Sequence, residues 1–401
     1  MDITAEHRVL RGSHPATSRP ARPVAPSRLD GIDLVRGLVI VIMALDHVRA
    51  YFTDLRFDPT DLSRTTAALF LTRWITHYCA PVFVLLAGVG AGLAARRRSP
   101  SELSRFLLTR GLWLIVVEFT VVNLAWRFNL RLENLWAQVI WAIGASMVIL
   151  AALSRLPRNA VGVIGLALIA GHNLLDGIAP SAFGSFAPLW NILHVRGPIL
   201  GGAVLVFYPL LPWLGVMAAG WFLAGLWTGQ SGENRRFTLA MVGAASIALF
   251  LALRLTRIYG DPAPWDPGSP HPILSVLNTT KYPPSLQYLL MTLGPACLLL
   301  AMVDGGVRPG FRWLVDFGRV PFFFYLVHLY LIHGLAALVA GAQGFDPGQM
   351  MEPYTHLPST WGVGLGSVYL VWAGIIGVLY PLCRWYARVK AAGRGWWWGY
   401  L

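Results

Sequence analysis

Three apolar stretches carry side chains that could do chemistry. The first, "DGIDLVRGLVIVIMALDHVRAYF" (30–52), holds Asp33, Arg36, Asp46, His47 and Arg49. The second holds Arg73 and His77, one helical turn apart, with Pro81 four residues on. The third, "DFGRVPFFFYLVHLYLIHG" (316–334), holds Tyr325, His328 and His333. Ionisable groups inside such stretches are costly and usually face a cavity or one another. Imidazole is the usual proton acceptor near neutral pH, so these histidines fit proton abstraction from a hydroxyl or amine. They fit a proton relay in a transporter or lipid flippase equally well.

Helical geometry sorts the first stretch. At 100° per residue, Arg36 and His47 fall within about 20° of one face, Asp33 lies about 40° from His47 on the other side, and Asp46 points about 100° away. The stripe Asp33, Arg36, Ile40, Met43, His47 therefore runs along one wall, with about 16 Å between Arg36 and His47. A cation at one mouth and an imidazole deep in the same groove suit a long ligand with an anionic head. The plainer alternative is a surface Asp33–Arg36 pair and one hydrogen-bonded buried histidine. His77 reads either as a cavity residue or as a packing histidine. His328 and His333 are about 140° apart and cannot share a pocket. His328 is the better candidate, and Tyr325, about one turn before it, can reach the same space. Glu118, Asn123 and Gln138 read as helix–helix hydrogen bonds.

Other chemistries lack support. His172, His194, His271 and His356 fall in outer loops without HExxH-type spacing, so no metal is expected. No GxSxG elbow, P-loop or GxGxxG occurs. Cys79, Cys297 and Cys383 lie in apolar runs with no CxxC and read as buried small side chains.

The elements that must position these groups are membrane helices. Of 401 residues, 56% are hydrophobic and 13% charged, against roughly a quarter charged in soluble domains. Runs of about 20 apolar residues recur, and that length crosses a bilayer core. The expected fold is all-α, a polytopic bundle of about ten transmembrane helices near 32–52, 66–94, 106–124, 135–153, 160–179, 199–227, 237–256, 285–303, 319–341 and 361–383. The net charge is +13. The basic residues cluster in short segments between apolar runs, which points to cytoplasmic loops and lipid headgroups rather than nucleic acid. Both termini are then cytoplasmic. The expected domains are a disordered basic tail at 1–30, a transmembrane domain at 31–385, and a basic tail at 386–401 with Trp396, Trp397 and Trp398 at the inner interface. Of the two long outer loops, 180–198 and 257–284, the second is rich in proline and aromatics. Its Trp265, Lys281 and Tyr282 suit a substrate rim.

At "LDGIDLVRGLVIVIMALDH" the chain resembles a known superfamily. The pattern Asp33-x-x-Arg36-Gly37-x(9)-His47 is similar to the opening motif of membrane acyltransferases of the acyltransferase-3 type. More closely, the chain resembles bacterial relatives of the heparan-α-glucosaminide N-acetyltransferase catalytic domain. Further matching stretches are "HYCAPVFVLLAGVGAGL" (77–93), "LWAQVIWAIGASM" (135–147), "FYPLLPWLGVMAAG" (207–220), "NTTKYPPSLQYLLMTLGP" (278–295) and "FGRVPFFFYLVHLYLIH" (317–333). The resemblance covers roughly 28–385. It implies an enzyme of the bacterial inner membrane that takes an acyl group from cytosolic acetyl-CoA or another acyl-CoA and delivers it to an outer-face acceptor, commonly a carbohydrate or glycoconjugate. No metal is implied, and a homodimer is left open. Carried onto this chain, the resemblance makes Asp46 and His47 a catalytic pair with His77 as the rival base. Asp33, Arg36, Tyr325 and His328 would line the acyl-CoA path, and Trp265, Lys281 and Tyr282 would meet the acceptor.

Overall fold

The computed structural model describes residues 30–129 and 134–393. The expected N-terminal tail up to residue 29, and Trp396 to Trp398, lie outside the described residues. Ten helical segments occupy the ten expected places. They are α1 (Asp30–Phe52), α2 (Ala67–Arg97), α3 (Pro100–Arg127), α4 (Val139–Leu153), α5 (Arg158–Leu175), α6 (Leu210–Gly229), α7 (Gly232–Thr256), α8 (Leu286–Val303), α9 (Pro321–Ala342) and α10 (Leu365–Ala392). Eight are long and apolar enough to cross a membrane. The others are α1, which carries too many charges, and α4, which has only 15 residues. The protein is an all-α integral membrane bundle.

Local chemistry sets the helix starts. Thr66 caps α2, Ser231 caps α7 and Ser285 caps α8 through side-chain oxygens. Ser99 and Glu102 form a reciprocal capping box before α3. Inside α2 the chain tightens to a 3₁₀ turn at Thr76–Tyr78. Pro81 has no N–H for the carbonyl of His77, and that carbonyl accepts from the Tyr288 hydroxyl instead, at 2.7 Å. Inside α3 a π turn spans Glu118–Val122.

Two expected spans need correction. The start of the expected 199–227 span is not helical, and neither is the start of 135–153. Three short strands, β1 (Leu135–Ala137), β2 (Gly197–Ile199) and β3 (Val204–Val206), form a sheet in the order β1-β3-β2. β1 runs parallel to β3, with Leu135 opposite Val204, and β2 runs antiparallel to it, with Gly197 opposite Val206. "GGAVLVF" is as apolar as a helix of the same length, so hydropathy alone does not separate the two. Gly201 (φ 65°) and Gly202 (φ 95°) turn the chain between the strands. At the other end of the chain α10 continues to Ala392, past the expected 383.

The bundle is assembled around α1, which packs against the second half of α2, α8, α9, α10 and a short helix, Arg312–Gly318. It is buried on nearly every side, which is unusual for a helix with five charged residues. The closest approach is backbone on backbone. A Cβ at Gly37 would strike the Leu314 carbonyl, and one at Gly318 would strike the Asp33 carbonyl. Between α3 and α4, Gly111 and Gly144 meet in the same way. The end of α10 and the start of α1 reach one end of the bundle, since Lys390, Arg36 and Arg319 line one cavity there and Arg319 pairs with Asp30 at 3.3 Å.

Gly37→Ala should therefore force α1 away from Arg312–Gly318. Overpacking of this kind costs about 1–3 kcal/mol. Thermal unfolding of the purified variant in detergent should show a lower midpoint than wild type, and an unchanged midpoint would mean the contact is looser than described.

Candidate active site

Beyond Ile32, α1 borders a pair of cavities. The larger, about 430 Å³, is lined by Arg36, Ile40 and Met43 of α1, with Arg98, Arg110, Arg319 and Lys390 supplying four further cations. The smaller, about 90 Å³, is lined by Met43, Asp46, His47, Arg49 and Ala50 of the same helix. Met43, Phe83, Val139 and Tyr325 belong to both walls, so the cavities adjoin. Rising at 1.5 Å per residue, α1 thus carries one continuous wall from Arg36 to Ala50 over about 21 Å.

Arg36 is held by Asp33 at 2.8 Å and by the Gly318 carbonyl at 3.2 Å, so the glycine contact that seats α1 also aims its first cation. Above the junction, His47 Nδ1 lies 2.7 Å from His328 Nε2. The rings stack with centroids 4.9 Å apart, and Trp126 meets His47 edge-on at 4.9 Å. The tautomers follow from the outermost partner. His328 Nδ1 is 3.0 Å from the Phe324 carbonyl, which can only accept. With both rings neutral, His328 carries its proton on Nδ1 and accepts at Nε2. His47 must then donate from Nδ1, which leaves the lone pair on its Nε2. That is the logic by which a triad orients its base.

The electrostatics of the small cavity are set by one carboxylate among cations. Asp46 accepts from Arg49 at 2.9 Å and from Arg73 at 2.5 Å. Lys281 adds a third positive charge to the wall, its Nζ 5.2 Å from the Tyr282 ring centre. Three cations face one anion, so the wall favours a group that carries or acquires negative charge. The Tyr282 phenol registers this field. Burial by itself raises its pKa, but the charges of Lys281 and Arg73 bring it below the ordinary value.

Gln138 and the first turn of α4 complete the junction. Gln138 lines the small cavity, Val139 lines both, and Ile140 lines the large one. The Gln138 amide nitrogen is buried, with no partner among the described residues. The positive end of the α4 dipole points to the same place. Glu118 accepts from Trp141 N at 2.9 Å, and Asn123 bonds both Trp136 N (2.8 Å) and Trp136 O (3.0 Å). Those two residues fasten the strand-to-helix connection, in keeping with their reading as hydrogen-bonding groups. Gln138 does not, because it faces the cavity.

The remaining expected residues are dispersed. Asp46, expected off the main stripe, shares the small cavity with His47, Lys281 and Tyr282. His77 is 3% exposed, with its ring 5.5 Å from that of Tyr288, and lies in neither cavity wall. Trp265 lies under the Arg257 guanidinium at 4.9 Å and lines neither cavity. His333 bonds the carbonyls of Ala125 and Met350. The sequence reading missed Trp126, Tyr208 and Tyr354 as parts of the small cavity's wall. Tyr354 comes from the loop after α9, and no spacing in the sequence links it to His47.

A helical membrane bundle that encloses an oriented base beside a cationic cavity has the makings of an integral membrane enzyme. Residues 28–257 match the family model described as heparan-alpha-glucosaminide N-acetyltransferase, catalytic, and the chain belongs to that family. Its members are membrane acetyltransferases, which makes the chain a transferase. No curated protein matches the chain. His47, Arg73 and Gln138 fall inside the matched residues; Lys281, Tyr282, His328 and Tyr354 fall beyond them.

If His328 positions the His47 tautomer, His328→Leu should lower kcat for group transfer by about 10- to 100-fold with little change in KM. His328→Gln, which keeps an acceptor, should recover part of the loss. Equal turnover in both variants and wild type would remove His328 from the mechanism.

Proposed function

We propose that the protein transfers an acyl group, acetyl in the simplest case, from acyl-CoA to a carbohydrate or glycoconjugate acceptor across the junction of the two cavities. The observation that carries this reading is that junction: an electropositive cavity at one end of the bundle adjoins a smaller one lined by an oriented histidine. By the distribution of basic residues the large cavity faces the cytosol, where acyl-CoA is made. Arg36, Arg98, Arg110, Arg319 and Lys390 would receive its phosphates. The pantetheine arm would run along Ile40 and Met43 and bring the thioester to Phe83, Val139 and Tyr325.

The acceptor enters from the opposite side, among Trp126, Tyr208, Tyr282 and Tyr354. Their flat faces suit a sugar ring, and Lys281 and Arg73 suit its polar or anionic substituents. His47 Nε2 takes the proton of the acceptor hydroxyl or amine as that atom attacks the thioester carbonyl. The oxyanion formed faces the Gln138 amide and the N-terminus of α4. When the intermediate collapses, the C–S bond breaks and the CoA sulfur leaves with the proton held on His47. Both substrates are bound together, so proximity supplies much of the rate. A bacterial cytoplasmic membrane would place the two cavities on the two sides this reaction needs.

Two measurements test the reading. CoA and acetyl-CoA should raise the melting midpoint of the detergent-solubilised protein, because a ligand of the folded state alone must stabilise it. His47→Ala should lower acyl-CoA turnover by about 10²- to 10⁴-fold, while His77→Ala should stay within a few-fold of wild type. No thermal shift at millimolar CoA, together with substrate flux in proteoliposomes that consumes no acyl-CoA, would replace the transferase reaction with transport.

A further inference from the structure

At the other end of α5 from Arg158, on the side of the bundle that carries Lys281, three metal-binding side chains meet outside both cavities. They are His172, Asp176 and His194, and one ligand atom from each lies within 4.8 Å of the others. His194 Nε2 is 3.1 Å from Asp176 Oδ1. His172 and His194 are only 2% and 1% exposed. Among the described residues, neither ring nitrogen of His172 nor Nδ1 of His194 has a hydrogen-bond partner, and all three atoms are buried. A neutral imidazole must keep one N–H and one lone pair, and burying both unpaired is costly. His172, with both nitrogens unpaired, and His194, with one, beside a carboxylate are not explained by apolar packing, since nothing apolar needs a nitrogen there.

We propose that His172, Asp176 and His194 bind one divalent transition-metal ion of the zinc class, and that the ion fastens the end of α5 to the helix Ala187–Leu193. Two imidazoles and a carboxylate are a donor set such ions favour over calcium or magnesium, which prefer oxygen alone. Zinc–ligand bonds of about 2.0–2.2 Å put donors roughly 3.3 Å apart. His194 and Asp176 already stand near that separation at 3.1 Å, and the His172 donor, within 4.8 Å of both, would close in on binding. Asp176 is oriented from behind, since its other oxygen accepts from Asn173 at 2.7 Å, and a hydrogen bond on the far side of a ligand commonly fixes its direction. The Asp176 side chain is 23% exposed, so water can take the fourth position.

The fastening has a structural consequence. Asn173 also accepts from Leu286 N at 2.8 Å, which joins the cluster to the start of α8. On the other side β2 begins three residues after His194 and pairs with β3, and β3 leads to Tyr208 in the small cavity. The ion would thus brace one wall of the acceptor side without touching the reacting atoms.

The test uses the full chain without an affinity tag, stripped with a chelator and then titrated with Zn²⁺. The expected result is one equivalent bound by elemental analysis, a rise of several degrees in the melting midpoint, and loss of both on chelation. His172→Gln and His194→Gln should each abolish the stoichiometric zinc and the shift, whereas His356→Gln, in an exposed loop, should keep both. Should the buried variants fail to fold, Co²⁺ added to wild type decides: visible d–d bands of a four- or five-coordinate ion support the site. A folded wild-type protein with no bound zinc, no shift and no cobalt bands overturns it, as does zinc binding that survives both histidine substitutions.

Discussion

The backbones of α1 and Arg312–Gly318 touch at Gly37 and Gly318, and there is room for nothing larger than hydrogen between them. Much of the site depends on that contact. It lets the Gly318 carbonyl receive Arg36. It draws in α9, which follows Gly318 almost at once, and so brings His328 onto His47 across the full sequence separation. In a bilayer the gain from such packing is van der Waals contact rather than expelled water. A side chain on either glycine would therefore widen the gap without compensation and spread the two histidines apart.

A second constraint follows from the solvent. Hydrocarbon cannot hydrate a peptide group, so irregular backbone is tolerated in a membrane only where protein or a cavity satisfies it. The helices are interrupted where they border the cavities, and each interruption has its partner. Tyr288 answers the carbonyl beside Pro81. Asn123 and Glu118 answer the amides of Trp136 and Trp141 at the strand-to-helix turn. The short α4 can then begin at the cavity junction and turn its positive end there. A full-length span in its place would have put its amides into its own helix and left the cavity junction without donors.

The charges complete the arrangement. Asp46 neutralises one of the two arginines it binds, and Lys281 is added by a loop. The surplus remains positive beside a base that is itself uncharged in the resting tautomer. Such a field stabilises a group that gains negative charge more than the neutral group it starts from, which is the kind of difference a transferase must create.

Composition and helical period were enough to read an integral helical bundle and to place ten segments, because bilayer thickness sets segment length and apolar runs of that length are visible directly. The stripe from Arg36 to His47 was legible for the same reason: both residues lie on one helix, where angle and rise follow from numbering. The partners of those residues come from elsewhere. His328 lies 281 positions from His47, Arg73 reaches Asp46 from α2, and Tyr354 comes from a distant loop. The rank of His77 against His47 was undecidable in sequence, since each is a lone imidazole in an apolar run. Tertiary packing sets His77 against Tyr288 and leaves His47 in the cavity. Hydropathy also could not tell the strands at 135–137 and 204–206 from helix, since it reports how apolar a run is and not where its amides find their acceptors.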